Sequence, residues 1–428
     1  MRFLALFSLI LAGLGCSSSS ATNGDAQASD SGAADARALD GGLPRDVGPL
    51  DSGETDAGLA DATPVDSGAV DTGMVDTDAG TVDTGPLSLT EVIDDGTVLL
   101  PHTITGCAPK LAFAPDGTTY VAHSVEAAVR VARLDGRIWV PLRGALNPAG
   151  QNISINICPA MVVAPDGTPY VGFVSSSTSV RHVGVRRFVA GEWEDVFTLD
   201  RPITDFAPAL DLSLTIDPSG APVLALVEFV GDEHFVTARR LVGAAFVQEG
   251  PPLARASRNV KVTTRPDGSV AVLHTQQVGF GAIARVSILA AGQWTSLPDV
   301  ASTDNSRPLL VDDIEAGAAA TLVSYSLLAP PFTVFTATST GGAFGSLGPE
   351  PAGLGSSTLS VGSRIVQTYQ RDLFATDLRI RDGAAWGSPI ALPISSRQAL
   401  IERFGTSVHV AYTDGANAFV LRVNLPPN

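Results

Sequence analysis

The residues best suited to hold a ligand are three arginines at nearly matched positions. Arg258, Arg307 and Arg397 stand eight to ten residues before a glycine-centred turn, at the start of an apolar run in each case. Planar guanidinium forks grip a carboxylate or phosphate through two parallel hydrogen bonds. If the three runs lead to one mouth, they form an anion or acidic-glycan site. Asp205 and Asp304 occupy comparable loops and either join that site or pair with the arginines. The bland alternative is solvated rim charges, since surface ion pairs are common and weak. Other chemistry is thin. His123 and His274 each follow a turn glycine by six residues, in segments too far apart to share a metal. Tyr120, Tyr170, Tyr325, Tyr369 and Tyr412 show no spacing that supplies a nucleophile with an acidic partner. There is no Ser-His-Asp order at usable spacing, no phosphate-binding loop, no dinucleotide fingerprint and no CxxC pair. No catalytic residue, metal or cofactor is expected.

The elements that position the arginines repeat. A short apolar run, a tight turn on glycine and a second apolar run recur with Gly117, Gly167, Gly220, Gly268, Gly317, Gly362 and Gly405, about 48 residues apart. A fixed period of that length, built only from strand-like segments, implies an all-β fold, a β-propeller. In the first repeat Lys110 to Ala114 reads as the inner strand and Pro115-Asp116-Gly117 as the turn. Thr119 to Ser124 and Val129 to Leu134 are the next strands, and Asp135-Gly136 turns the chain into an outer strand, Ile138 to Leu142. No amphipathic helix is found. Seven blades follow, with six or eight open if one degenerate repeat is misread.

The last repeat supplies only three strands before the chain ends. The segment Asp94 to Leu100 matches the outer strand of the first repeat. An N-terminal strand is therefore expected to complete the final blade and leave no open edge. The propeller spans residues 89–428.

The hairpins Arg133-Leu134-Asp135-Gly136-Arg137-Ile138-Trp139 and Arg381-Asp382-Gly383-Ala384-Ala385-Trp386 resemble the Asp-box repeats of sialidase-type propellers. In both, the Asp directly precedes the Gly, one residue short of the family pattern, and the leading hydroxyl residue is missing. The resemblance covers the repeat and not an active site. Sialidases use an arginine triad, so it also implies a divergent glycan-active enzyme as the alternative to a binding or scaffold module.

The N-terminus carries an address. Arg2, the apolar run Phe3 to Leu14 and a small residue at the cut make a secretory signal peptide over residues 1–15. The run is too short to span a bilayer, which takes about 20 apolar residues. Gly15-Cys16 resembles a bacterial lipobox, with Gly13 where the family prefers leucine. That resemblance implies lipidation of Cys16 and, with Ser17 and Ser18 following, outer-membrane sorting, facing the periplasm or the cell surface. Residues 16–88 carry Asp at five-residue intervals among Gly, Ala, Ser, Thr and Pro, with no aromatic residue. Such a segment cannot offset its ordering entropy and reads as a disordered stalk. It resembles the Asp-rich spacers of myxobacterial lipoproteins. Asp76 to Gly80 only faintly echoes a calcium loop. Thirteen Asp and Glu54 against Arg37 and Arg45 place most of the net charge of −17 in this stalk. The propeller itself is mildly acidic with no basic stripe, which argues against nucleic acid. Expected partners are the membrane, through the lipid alone, and an envelope protein or polysaccharide; the chain reads as a monomer.

With Cys16 assigned to the lipid, Cys107 and Cys158 remain, each just before the inner strand of consecutive repeats. Equivalent positions in neighbouring blades lie close, so a disulfide is expected in an oxidising compartment.

Overall fold

The structure, a computed structural model, describes residues 89–92, 100–101, 108–125, 127–153, 157–202, 211–230, 233–254, 256–278, 281–303, 309–328, 330–348, 350–372, 375–392, 399–413, 417–423 and 425. The signal peptide, Cys16 and the stalk lie outside them. The described residues form seven small antiparallel sheets and no helix: the chain is a seven-bladed β-propeller.

The seven innermost strands, in chain order, are Lys110–Phe113, Ala160–Val163, Leu212–Ile216, Ala256–Thr264, Leu309–Ala316, Leu354–Val361 and Ala399–Phe404. Each packs against the next, and the last returns to the first. Within a blade the chain runs outward from this strand by antiparallel hairpins. Blade 3, for example, continues through Pro222–Val230, Glu233–Val242 and Ala245–Ala254. Blade 7 takes its outermost pairing from the N-terminal side. Leu89–Val92 and Leu100–Pro101 both pair antiparallel with Asn417–Val423, Leu89 opposite Val423 and Leu100 opposite Ala418. The segment between them, residues 93–99, lies outside the described residues.

Blades stack face to face, so a strand in mid-blade is buried on both sides and alternate residues serve different neighbours. In Pro222–Val230, Leu224 and Leu226 enter the apolar cluster shared with blade 2, while Val223, Ala225 and Val227 enter the one shared with blade 4. This is why the sequence shows continuous apolar runs. Apolar clusters fill six seams in this way, including the closing seam, where Leu111, Val121 and Trp139 of blade 1 meet Ala411 and Val420 of blade 7. The seam between blades 5 and 6 is polar instead. Gln367, with no exposed surface, donates to Thr336 Oγ1 across it at 2.8 Å and accepts from Arg379 Nε at 2.7 Å. Arg379 lies 3.8 Å over the Trp386 ring, whose Nε1 donates to the Leu347 carbonyl at 3.0 Å. Three outer-strand tryptophans differ in role: Trp139 is buried, whereas Trp294 and Trp386 tie blades together through their N–H groups.

Six of the seven turn glycines hold a left-handed φ, between 59° and 90°. Gly317 does not. It stands at the base of its hairpin loop, where its amide donates to the Ala320 carbonyl at 2.8 Å. At Gly117, φ is 89° and an added Cβ would sit 3.3 Å from the Phe404 ring. Gly117→Ala should therefore cost about 1–2 kcal/mol, read as a shift in the urea midpoint. Gly317→Ala should cost only a few tenths. Equal costs at the two positions would contradict the difference between these turns.

Candidate functional site

The innermost strand of each blade has one free edge, facing the propeller axis, and its amides there have no ladder partner. Side chains from the preceding blade supply acceptors. Asp211 of blade 3 accepts from the Val260 amide of blade 4 at 2.9 Å, and Ser213 Oγ accepts from the Val262 amide at 3.1 Å. Between blades 5 and 6, Asp313 accepts from the Thr358 amide at 3.1 Å and Glu315 from the Ser360 amide at 2.6 Å. Ser357 then accepts from the Ile401 amide of blade 7 at 3.2 Å. Between blades 7 and 1 the contact is an ion pair, Glu402 with Lys110.

Buried charges of both signs lie along this wall. Burial opposes the Lys110 charge, but Glu402 and Asp313 outweigh it and hold its pKa above the ordinary value. Burial pushes Glu402 up, against the pull of Lys110. Burial likewise raises Asp211, although Lys261 and the Val260 and Leu212 amides favour its ionised form. Asp312 is pushed up to about 6, mainly by burial, against hydrogen bonds from Ser326 and Ser356 and the charge of Lys261. A β-bulge between Val311 and Asp313 frees Asp312 from strand alternation. Two successive carboxylates thereby reach blade 6: Asp312 accepts from Ser356 Oγ at 3.0 Å and Asp313 from Ser357 Oγ at 3.1 Å.

The spacing of residue types did not single these groups out, yet one signal was present. Lys110 and Lys261 are the only lysines in the chain, and each stands seven residues before its turn glycine. Of the arginines singled out, Arg258 falls in the innermost strand of blade 4, inside the register shift between Ala256 and Val260. Arg307, Arg397, Asp205, Asp304 and Cys107 lie outside the described residues. Cys158 directly precedes the innermost strand of blade 2, which packs on that of blade 1. The two histidines sit in separate second strands, His123 in blade 1 and His274 in blade 4, where His274 Nε2 meets Ser287 Oγ at 3.1 Å. Among the described residues no group of three metal-ligating side chains assembles.

A tyrosine with an acidic partner does occur, inside blade 6. Tyr369 and Asp377 face each other across the ladder, the phenol donating to Asp377 at 3.3 Å, with Arg371 3.1 Å from the same carboxylate. Burial and then Asp377 push the phenol up to about 12. That is the wrong direction for a nucleophile, and both groups are almost fully buried. On the face carrying the Pro-Asp-Gly turns, a recess of about 450 Å³ opens between blades 3 and 4, lined by Arg240, Glu249, Asp267 and Leu289. Its guanidinium is already committed to Glu249, Asp217 and the Gly268 carbonyl.

No known family's sequence profile matches the chain, and no curated protein does. Solved structures do. A polysaccharide lyase, an ulvan lyase bound to -[GlcA(1-4)Rha3S]-, is 12% identical with a TM-score of 0.51, over 78% of this chain and 95% of its own. A lectin in complex with α-methyl fucoside is 11% identical with a TM-score of 0.45, over 68% and 99%. A puromycin-hydrolysing peptidase of Mycobacterium tuberculosis is 15% identical with a TM-score of 0.48, over 76% and 54%. At such identities the first likeness concerns the fold alone.

Opposed titrations make the axial wall measurable. Asp312, at about 6 in the fold against 3.8 ordinarily, binds a proton that the unfolded chain releases, so its contribution to stability rises as pH falls from 7 towards 4. His274 and His409, both pushed down from 6.5 to about 4 chiefly by burial, lose stability over that interval. Asp312→Asn removes only the first effect. The variant should be most favoured relative to the parent at pH 7 and lose that advantage towards pH 4, a swing of about 2 kcal/mol in urea unfolding. A difference independent of pH would contradict this.

Proposed function

We propose that the chain is an exported lipoprotein, anchored through Cys16, whose propeller is a binding or scaffold module for a glycan, peptide or protein of the cell envelope. The observation that carries this reading is the convergence of seven innermost strands on one axis, which gathers their leading ends around a common mouth. Arg258, in the bulged leading segment of blade 4, stands at a position matched in sequence by Arg307 and Arg397. Three guanidinium groups at such a mouth suit a carboxylate, sulfate or phosphate. Asp205 and Asp304, which the sequence puts at comparable points ahead of their turns, would serve the same site as pairing or ligand-contacting carboxylates. Sorting to the outer membrane, a disulfide between Cys107 and Cys158, and a stalk that holds the disc off the bilayer complete the proposal.

A glycan-active enzyme is the second reading. It draws on the resemblance of the hairpins to Asp-box repeats. The buried Tyr369–Asp377 pair, with its phenol pushed up, does not favour it.

Binding of acidic oligosaccharides on a glycan array, compared between the parent and Arg258→Gln, Arg307→Gln and Arg397→Gln, tests the mouth. Each substitution should weaken binding about tenfold, the worth of one charge-assisted hydrogen bond. Unchanged binding in all three removes the site. Replacing Cys16 with Ser should move the chain from the membrane to the soluble fraction, and retention at the membrane would contradict the anchor.

A further inference from the structure

We infer that the recess between blades 3 and 4, on the face of the Pro-Asp-Gly turns and away from the axial mouth, binds a small organic cation, a protonated amine seated against Glu249 and Asp267. The recess holds about 450 Å³, within the range of about 300–1,000 Å³ in which small-molecule sites fall. Its inner end is open because the blade 4 turn is left uncovered. A Cβ added at Gly268 would meet nothing within 4 Å, whereas at the matching Gly220 it would lie 2.8 Å from Pro165 of blade 2. The outer end is closed. A Cβ added at Gly250 of blade 3 would lie 2.8 Å from Leu289 Cδ1 and 2.9 Å from the Gly292 carbonyl of blade 4, so the two blades touch there. Trp294 Nε1 then bridges them by donating to the Pro251 carbonyl at 2.7 Å.

The charge of the recess follows from one residue of the repeat. Arg133, Arg187 and Arg240 hold one ladder position in blades 1, 2 and 3, each opposite the residue three past its turn glycine. Among the described residues Arg133 pairs with one carboxylate, Asp135 at 3.8 Å, and Arg187 with one, Glu194 at 2.8 Å. Arg240 has two, because Asp217 stands before Pro218 where blades 1 and 2 have Ala114 and Ala164. The buried Asp217 accepts from Arg240 Nη1, Glu249 accepts from Nε at 2.5 Å and Nη2 at 3.2 Å, and the Gly268 carbonyl accepts from Nη2 at 3.0 Å. That fork has little left to offer an anion. The Arg240 side chain is 18% exposed, against 31% for Glu249 and 62% for Asp267, so carboxylates are what the recess presents. Asp217, Glu249 and Asp267 stand against two cations, Arg240 and an Arg265 that lies 3.8 Å from Asp267, so one negative charge is in surplus. Hydrogen bonds from the Ser269 hydroxyl and amide hold Asp267 below the usual carboxylate range. Each carboxylate keeps lone pairs free for an N–H donor. Leu289 and Ala290 give the carbon body of a ligand an apolar wall. An ammonium on a carbon frame fits both features, whether an amino sugar or an alkylamine carries it.

The test titrates the full chain at pH 7 with glucosamine hydrochloride and, separately, with n-butylammonium chloride, at ionic strength held constant with sodium chloride. Glucose and n-butanol serve as the uncharged counterparts, and the readout is calorimetric heat. Saturable binding of at least one amine is expected, tighter than that of its uncharged counterpart. Glucosamine alone assigns the site to an amino sugar; butylammonium, alone or as well, assigns it to alkylammonium groups in general. Glu249→Gln should loosen binding roughly tenfold, the worth of one charge-assisted hydrogen bond, and Asp267→Asn should loosen it severalfold. If Glu249→Gln fails to fold, the exposed Asp267 position decides alone. Arg258→Gln, at the other end of the blades, should leave the affinity unchanged. No saturation by either amine, an uncharged counterpart that binds as tightly, indifference to both carboxylate substitutions, or binding lost in Arg258→Gln would overturn the recess as a cation site.

Discussion

A propeller has to dispose of seven free strand edges at its axis, and at three junctions among the described residues side chains of one blade accept from the edge amides of the next. The amides of Val260, Val262, Thr358, Ser360 and Ile401 would otherwise be backbone donors in a narrow, half-desolvated wall. A buried amide without an acceptor costs about 1–3 kcal/mol, so a belt of such contacts decides whether the ring is a stable object. The acceptors are Asp, Glu and Ser because a short polar side chain on one innermost strand just spans to the amide of its neighbour. This need fixes the register between blades, and the register brings the leading ends of the innermost strands together.

The belt has its own electrostatic consequence. Carboxylates used near the axis are taken out of water, and burial pushes Asp211, Asp312 and Glu402 upward. Lys110 and Lys261 offset part of that cost from blades 1 and 4. Elsewhere the ring is held by apolar seams, and the polar seam between blades 5 and 6 stands apart. There Gln367, Arg379 and Trp386 replace aliphatic packing with directed contacts, which need every partner in place.

Much of this was legible in the sequence, because a turn that needs a left-handed residue leaves a glycine at a fixed interval. Gly117, Gly167, Gly220 and Gly268 thus announced the blades, and continuous apolar runs announced strands buried on both faces. Gly317 was read as one more such turn, but it stands at the base of its hairpin loop, where its amide donates to the Ala320 carbonyl and no positive φ is needed. The axial belt was not legible. An Asp that caps a neighbouring edge is indistinguishable, one residue at a time, from an Asp on the rim, and a bulge such as that at Asp312 breaks the alternation by which faces are read.

Hydrogen exchange at the axial edge tests the central claim most directly. If side chains of the preceding blade close the free edges, the amides of Val260, Val262, Thr358, Ser360 and Ile401 should exchange as slowly as interior ladder amides such as those of Leu224 and Leu273. Replacing Asp313 with Ala should then release Thr358 selectively. Exchange of all five amides at the rate of an open edge strand would contradict the account, because the ring would then be held by its seams alone.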